Sequence, residues 1–147
     1  MPKRSMTIRN IKDQRGKYPI LTEKIIDMSD IILEILDSRF INETRNFEIE
    51  KKIIKKDKKI IYVLNKSDLI DVKQEKNKIE ELKPKVFVSC STRAGIKELR
   101  DKIKILSSKI ENPSDKFLNK VTVGIIGYPN TGKSSVINLL IDRKSVV

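Results

Sequence analysis

The chain has 147 residues and a formal net charge of +12, from 32 basic and 20 acidic side chains. With no histidine and one cysteine, Cys90, it lacks the ligands for a zinc site, a Ser-His-Asp triad, a Cys-His dyad or a disulfide framework. One domain of this size buries a core without covalent staples, and no apolar run reaches the roughly 18 residues that span a bilayer, so a soluble cytoplasmic protein is expected. Residues 1–19 read as a basic arm, with Lys3, Arg4, Arg9, Lys12, Arg15 and Lys17 against Asp13. Glu23 to Met28 closes a short helix that follows Pro19. Asp30 to Leu36, DIILEIL, is the first predicted strand. Glu43 to Lys56 is predicted helical. Lys51, Lys52, Lys55, Lys56, Lys58 and Lys59 make a second basic cluster, against Asp57 alone.

The second strand is Lys59 to Leu64, KIIYVL. A helix is expected over Val72 to Leu82, ending before Pro84. Lys85 to Ser89, KVFVS, is the third strand. Ile96, Leu99, Ile103, Leu106 and Ile110 form one apolar stripe at helical spacing. Glu111 to Lys116, ENPSDK, reads as a linker. Val121 to Gly127, VTVGIIG, is the fourth strand, and a helix runs from Ser134 to Asp142. The strands are nearly continuous in apolar residues, as strands covered on both faces are. Their alternation with helices predicts an α/β fold, a P-loop NTPase-like parallel sheet of about four strands over residues 20–147. The two basic clusters favour a polyanion, most often nucleic acid; the bland alternative is a solvated helix face and a loose arm.

Gly127-Tyr128-Pro129-Asn130-Thr131-Gly132-Lys133-Ser134 matches the P-loop pattern G-x-x-x-x-G-K-[ST], with a strand before it and a helix after it. Backbone N–H groups must wrap phosphate oxygens there, so glycine is needed where a Cβ would obstruct the turn. Lys133 brings positive charge to the β- and γ-phosphates, the Ser134 hydroxyl is the Mg²⁺ ligand, and the helix N-terminus adds its partial charge. Asn130, Thr131, Gly132, Lys133, Ser134 and Ser135 are the candidate phosphate-binding residues.

Asn65-Lys66-Ser67-Asp68 follows the second strand directly and matches the N-K-x-D guanine motif of GTPases. The Asp68 carboxylate can accept from both N1–H and N2–H₂ of guanine, a donor pair that adenine lacks. Asn65 can hold the loop, and the Lys66 stem can lie along the base. Alone the motif is weak, because these are ordinary turn residues; at the C-terminal end of a parallel strand it is much stronger. Ser89-Cys90-Ser91, after the third strand, resembles the S-A-K loop of GTPases. Cys90 takes the small middle position, and Ser91 replaces the usual lysine. Cys90 is equally readable as a small buried residue.

The order guanine motif, S-A-K-like loop, P-loop resembles the circularly permuted GTPases, the YlqF/YawG-type ribosome-assembly GTPases. Asp37-Ser38-Arg39-Phe40-Ile41-Asn42-Glu43-Thr44-Arg45-Asn46 is similar to that family's D-A-R-x-P-x-x-[ST]-R-N signature, with Ser38 and Ile41 departing from it. The resemblance implies GTP or GDP with Mg²⁺ as ligands, slow GTP hydrolysis, and action in large-subunit maturation through rRNA or a ribosomal subunit. It also implies K⁺ coordination by Asn130. Thirteen residues follow Ser134, and no switch threonine or D-x-x-G lies among them. On that ground the chain is expected to lack the switch regions, to turn over weakly if at all, and to expose the P-loop strand as an edge open to self-association. No catalytic residue is assigned. Two other readings compete: an adenine-nucleotide P-loop protein, and a non-enzymatic rRNA-binding module with a vestigial P-loop.

Overall fold

The computed structural model describes residues 6–9, 18–75 and 79–142. In chain order the elements are β1 (Met6–Arg9), α1 (Tyr18–Met28), β2 (Ile31–Asp37), α2 (Ile41–Thr44), α3 (Phe47–Lys55), β3 (Lys59–Asn65), α4 (Val72–Glu75), β4 (Lys85–Phe87), α5 (Ile96–Ser108), β5 (Val121–Ile126) and α6 (Lys133–Ile141). The strands form one five-stranded sheet in the order β1-β5-β2-β3-β4, and every pairing is parallel. The four strands anticipated from apolar runs are β2 to β5.

Side chains alternate between the two faces of the sheet along each strand. Ile31, Leu33 and Ile35 of β2 join Ile61, Val63, Val86 and Val123 under α5 and α6, where Leu99, Ile103, Val136 and Leu140 close the layer. Ile32 faces the other way, against Ile25 and Ile26 of α1 and Ile49 and Ile53 of α3. Both faces are thus covered, which explains the unbroken apolar runs. The predicted α5 stripe is the buried face of that helix.

β1 corrects one expectation. It lies within the segment read as an arm and pairs with β5, Met6 opposite Val121 through Arg9 opposite Gly124. The P-loop strand is therefore interior to the sheet, and the exposed edge proposed for self-association is not there. Four residues, MTIR, are too few for a periodicity signal.

The helix expected over Glu43–Lys56 is two helices. Arg45 is extended, and Asn46 caps α3 by accepting from the Ile49 N–H at 3.1 Å. Arg45 turns inward instead of continuing the helix. Its guanidinium binds both carboxylate oxygens of Glu50 and reaches Glu81 at 2.8 Å, while lying over the Phe47 and Tyr62 rings. Of the helix expected over Val72–Leu82, Val72–Glu75 is helical, residues 76–78 lie outside the described residues, and Ile79–Leu82 is not helical. Ile79 and Leu82 are buried against Leu36, Tyr62 and Leu64, and a turn from the Leu82 N–H to the Ile79 carbonyl serves that purpose in place of a helix.

The linker after α5 is pinned where it matters. Asp30 accepts from the N–H and the hydroxyl of Ser114, both at 2.8 Å, and from the Thr122 N–H at 2.9 Å. One carboxylate thereby joins the starts of β2 and β5, so the two strands end in register at the opposite edge, Glu34 beside Ile126.

Candidate functional site

The loops after β2, β3, β4 and β5 meet at the C-terminal edge of the sheet, where parallel α/β sheets hold their ligands. The register sets this meeting: Asp37 of β2 stands opposite Asn65 of β3, and Leu64 opposite Phe87 of β4.

The half expected to read a base is organised around Asp68. Asp68 lies in a single 3-10 turn, Ser67–Leu69, entered through Lys66 in left-handed backbone at φ 62. The Ser89 hydroxyl donates to Asp68 Oδ1 at 2.8 Å, and the Ser91 hydroxyl to Oδ2 at 3.4 Å. Both serines of the S-C-S loop thus orient the carboxylate, which is itself exposed. Each carboxylate oxygen keeps lone-pair capacity for a further donor. Ser91, at the position where lysine is usual in the S-A-K loop, contacts the acid directly. The Cys90 thiol donates to Asn65 Oδ1 at 3.5 Å. Burial pushes that thiol above its ordinary pKa, so Cys90 behaves as a small neutral packing residue.

The phosphate half is built on β5 and α6. Asn130 has a φ of 68 and Gly132 a φ of 93, which curl the loop before the helix starts at Lys133. The Thr131 hydroxyl donates to the Tyr128 carbonyl at 2.7 Å and staples the curl. Ser134 and Ser135 sit exposed in the first turn of α6. Lys133 is half-buried at the helix start.

The two halves are tied together. Asn65 Nδ2 donates to the Thr131 carbonyl at 2.8 Å, and Lys66 Nζ donates to the Asn130 carbonyl at 2.7 Å. Asn65 and Lys66 of the N-K-x-D motif therefore grip the loop of the P-loop motif. All the expected base and phosphate residues lie along this one edge.

Among curated relatives, an uncharacterized GTP-binding protein of Methanocaldococcus jannaschii is 42% identical over 147 residues, covering 97% of this chain and 37% of that protein. The chain is similar in sequence to GTP-binding proteins, and its order of motifs is the one that resembles the circularly permuted GTPases. The GTPase grn1 of Schizosaccharomyces pombe is 32% identical, over 89% of this chain and 31% of its own length. The nuclear GTP-binding protein NUG1 of Saccharomyces cerevisiae is 31% identical, over 91% and 28%. The chain thus spans about a third of the length of these relatives. The family model for 50S ribosome-binding GTPase matches residues 122–147. GNP-bound YlqF from T. maritima superposes with a TM-score of 0.61 at 24% identity, covering 88% of this chain and 49% of that one; the likeness is one of fold.

Sequence reasoning named the family signature from Asp37 to Asn46 without giving its residues work to do. Asp37 and Ser38 hold the guanine loop: the Ser38 N–H donates to the Asn65 carbonyl at 2.9 Å, and Lys66 Nζ to Asp37 Oδ2 at 3.2 Å. Arg45 and Asn46 serve the interior. The Asn46 N–H donates to Glu34 Oε1 at 3.0 Å, beside the Arg45–Glu50 pair. Their position just past a strand end was the available signal. The sequence also spells D-x-x-G once, at Asp13-Gln14-Arg15-Gly16, ahead of every other motif; that stretch lies outside the described residues.

Proposed function

We propose that this chain is the guanine-nucleotide-binding part of a circularly permuted GTPase that acts in large ribosomal subunit assembly. One observation carries the reading. The Asp68 carboxylate is aimed by Ser89 and Ser91, and its loop is bonded through Asn65 to the phosphate loop. A base held by Asp68 and a diphosphate in the P-loop are then two ends of one ligand. In this reading Asp68 accepts from guanine N1–H and N2–H₂, and Lys66 covers the base. The backbone of Asn130, Thr131 and Gly132, with Lys133, Ser134 and Ser135, surrounds the phosphates.

The residues fit Mg²⁺ brought by a nucleotide. Ser134 is exposed at the helix N-terminus, and among the described residues no cluster of three acidic, cysteine or histidine groups could hold a metal alone. Mg²⁺ would be held by the Ser134 hydroxyl with phosphate oxygens, and would supply charge neutralisation at the phosphates. K⁺ beside Asn130 belongs to the same proposal. Its check is nucleotide affinity in K⁺ against Na⁺, and equal values would remove it.

The rRNA partner rests on α3. Part of its lysine run serves the fold: Lys52 lies 3.6 Å from Glu23 and Lys56 2.5 Å from Asp27, both on α1. Lys51 and Lys55 are exposed and have no ion pair among the described residues. No helix among the described residues is long and apolar enough to cross a membrane, and a cytoplasmic location is part of this proposal.

Calorimetry with GDP, GTP and ATP, with and without Mg²⁺, tests the reading. Guanine nucleotides should bind at least tenfold more tightly than ATP; equal or tighter binding of ATP would overturn it. RNA binding that is lost in Lys51→Glu/Lys55→Glu and untouched by Lys133→Ala, with no nucleotide bound, would favour the RNA-binding module.

A further inference from the structure

We propose that Asp37 is a positioning residue that locks the base-reading loop onto the phosphate loop through Lys66. The proposal deepens the guanine-nucleotide reading and rests on it only for the affinity arm of its test.

Asp37 ends β2 with its carboxylate almost wholly covered, its side chain 7% exposed. Four donors converge on it. Oδ1 accepts from the Arg39 N–H at 3.0 Å and from Arg39 Nε at 3.1 Å; Oδ2 accepts from Arg39 Nη2 at 2.9 Å and from Lys66 Nζ at 3.2 Å. The same Lys66 ammonium donates to the Asn130 carbonyl at 2.7 Å. Three loops, after β2, β3 and β5, thus share one cation. A second grip runs alongside, because the Ser38 N–H and hydroxyl both donate to the Asn65 carbonyl.

Charge is the reason an acid is needed here. The carboxylate separates two cations, Arg39 and Lys66, that both bind Oδ2. Without its negative charge they repel, and Lys66 keeps a single neutral acceptor at Asn130. Arg39 foremost, with Lys66, holds the Asp37 carboxyl near pKa 2, so the ion pair persists throughout the neutral range. Charge-assisted bonds of this kind are about twice as strong as neutral ones, and a nearly buried one resists screening by salt. Lys66 also stands in left-handed backbone, a conformation a lysine adopts only when its surroundings over-determine it.

A turn-forming role would need only the acceptor for the Arg39 N–H, which asparagine retains. Asp37→Asn therefore removes the charge and spares the turn. Amide hydrogen exchange is measured on the nucleotide-free protein. Asp37→Asn should speed exchange at Asn130, Thr131 and Gly132 about tenfold, and leave β3 and α5 unchanged. Lys66→Met should do the same from the other side, and the double variant should be no faster than either single one. Should Asp37→Asn fail to fold, Lys66→Met alone decides by the same amides. Unchanged P-loop exchange, or accelerations that multiply in the double variant, would overturn the proposal. In the affinity arm, Asp37→Asn should weaken GDP about tenfold in the wild-type background and not at all in Lys66→Met. A wild-type chain that does not bind GDP would remove the nucleotide reading and leave the exchange result to decide the coupling.

Discussion

Asn65 Nδ2 reaches the carbonyl of Thr131 at 2.8 Å across 66 residues of chain. Asn65 is 2% exposed and Thr131 1% exposed, so neither group has water as an alternative partner. The bond ties the N-K-x-D loop to the P-loop. Asn65→Ala leaves a buried carbonyl without a donor, which costs about 1–3 kcal/mol. It should lower the melting temperature and weaken GDP binding at least tenfold. Calorimetry on the folded variant checks this, and full affinity would show that the loops hold their places independently.

Gly132 sits against the same amide. A Cβ there would stand 2.2 Å from Asn65 Nδ2, at a φ of +93. Clash and backbone strain act together, the strain alone amounting to about 1–3 kcal/mol. Gly132→Ala should abolish measurable nucleotide binding while far-UV circular dichroism stays that of the parent. Binding within threefold of wild type would mean that the loop has another shape when loaded.

In the proposed function Asp68 is the residue that selects the base. Asp68→Asn exchanges two acceptor oxygens for one acceptor and a donor. The changed pattern no longer suits the paired donors of guanine and suits xanthine, which carries an oxygen at position 2. GDP affinity should fall about a hundredfold, and xanthosine diphosphate should bind more tightly than GDP. A variant that still prefers GDP would place the base elsewhere.

The fold was legible because four strands are covered on both faces. DIILEIL, KIIYVL, KVFVS and VTVGIIG have little polar content to confuse the pattern, and the sheet buries nearly all of it. The motifs were legible because each directly follows one of those strands. Three things were hidden. β1 is too short for a period, and its pairing depends on a partner more than a hundred residues away. The break between α2 and α3 is decided by Arg45, whose ion pairs with Glu50 and Glu81 outweigh helix propensity. The use of Asp37 as a hub depends on β2–β3 register, which places it opposite Asn65 and within reach of Lys66. The lysine run misled in part, since two of its members pair with α1.

Glu34 gives the fold a pH dependence of its own. It lies 1% exposed in the centre of β2. Burial first, and then the Glu50 carboxylate, push its pKa up to about 8 from 4.5, although the Asn46 N–H pulls the other way. The charged and titratable neighbours are Glu50, held by Arg45, and the Tyr62 hydroxyl, which donates to Glu50 at 3.1 Å and is itself pushed up by burial. The folded chain keeps the Glu34 proton where the unfolded chain has lost it, so stability falls as pH rises from about 4.5 to about 8 and then levels off as regards this group. Glu34→Gln is neutral at every pH and nearly isosteric. It should match wild type at pH 5 and exceed it by about 1–3 kcal/mol at pH 8. Urea unfolding at pH 5, 6.5 and 8 measures the difference. Parallel profiles for the two proteins would show that Glu34 is ionised in the fold, with its charge carried by the Asn46 N–H and the nearby Arg45 guanidinium.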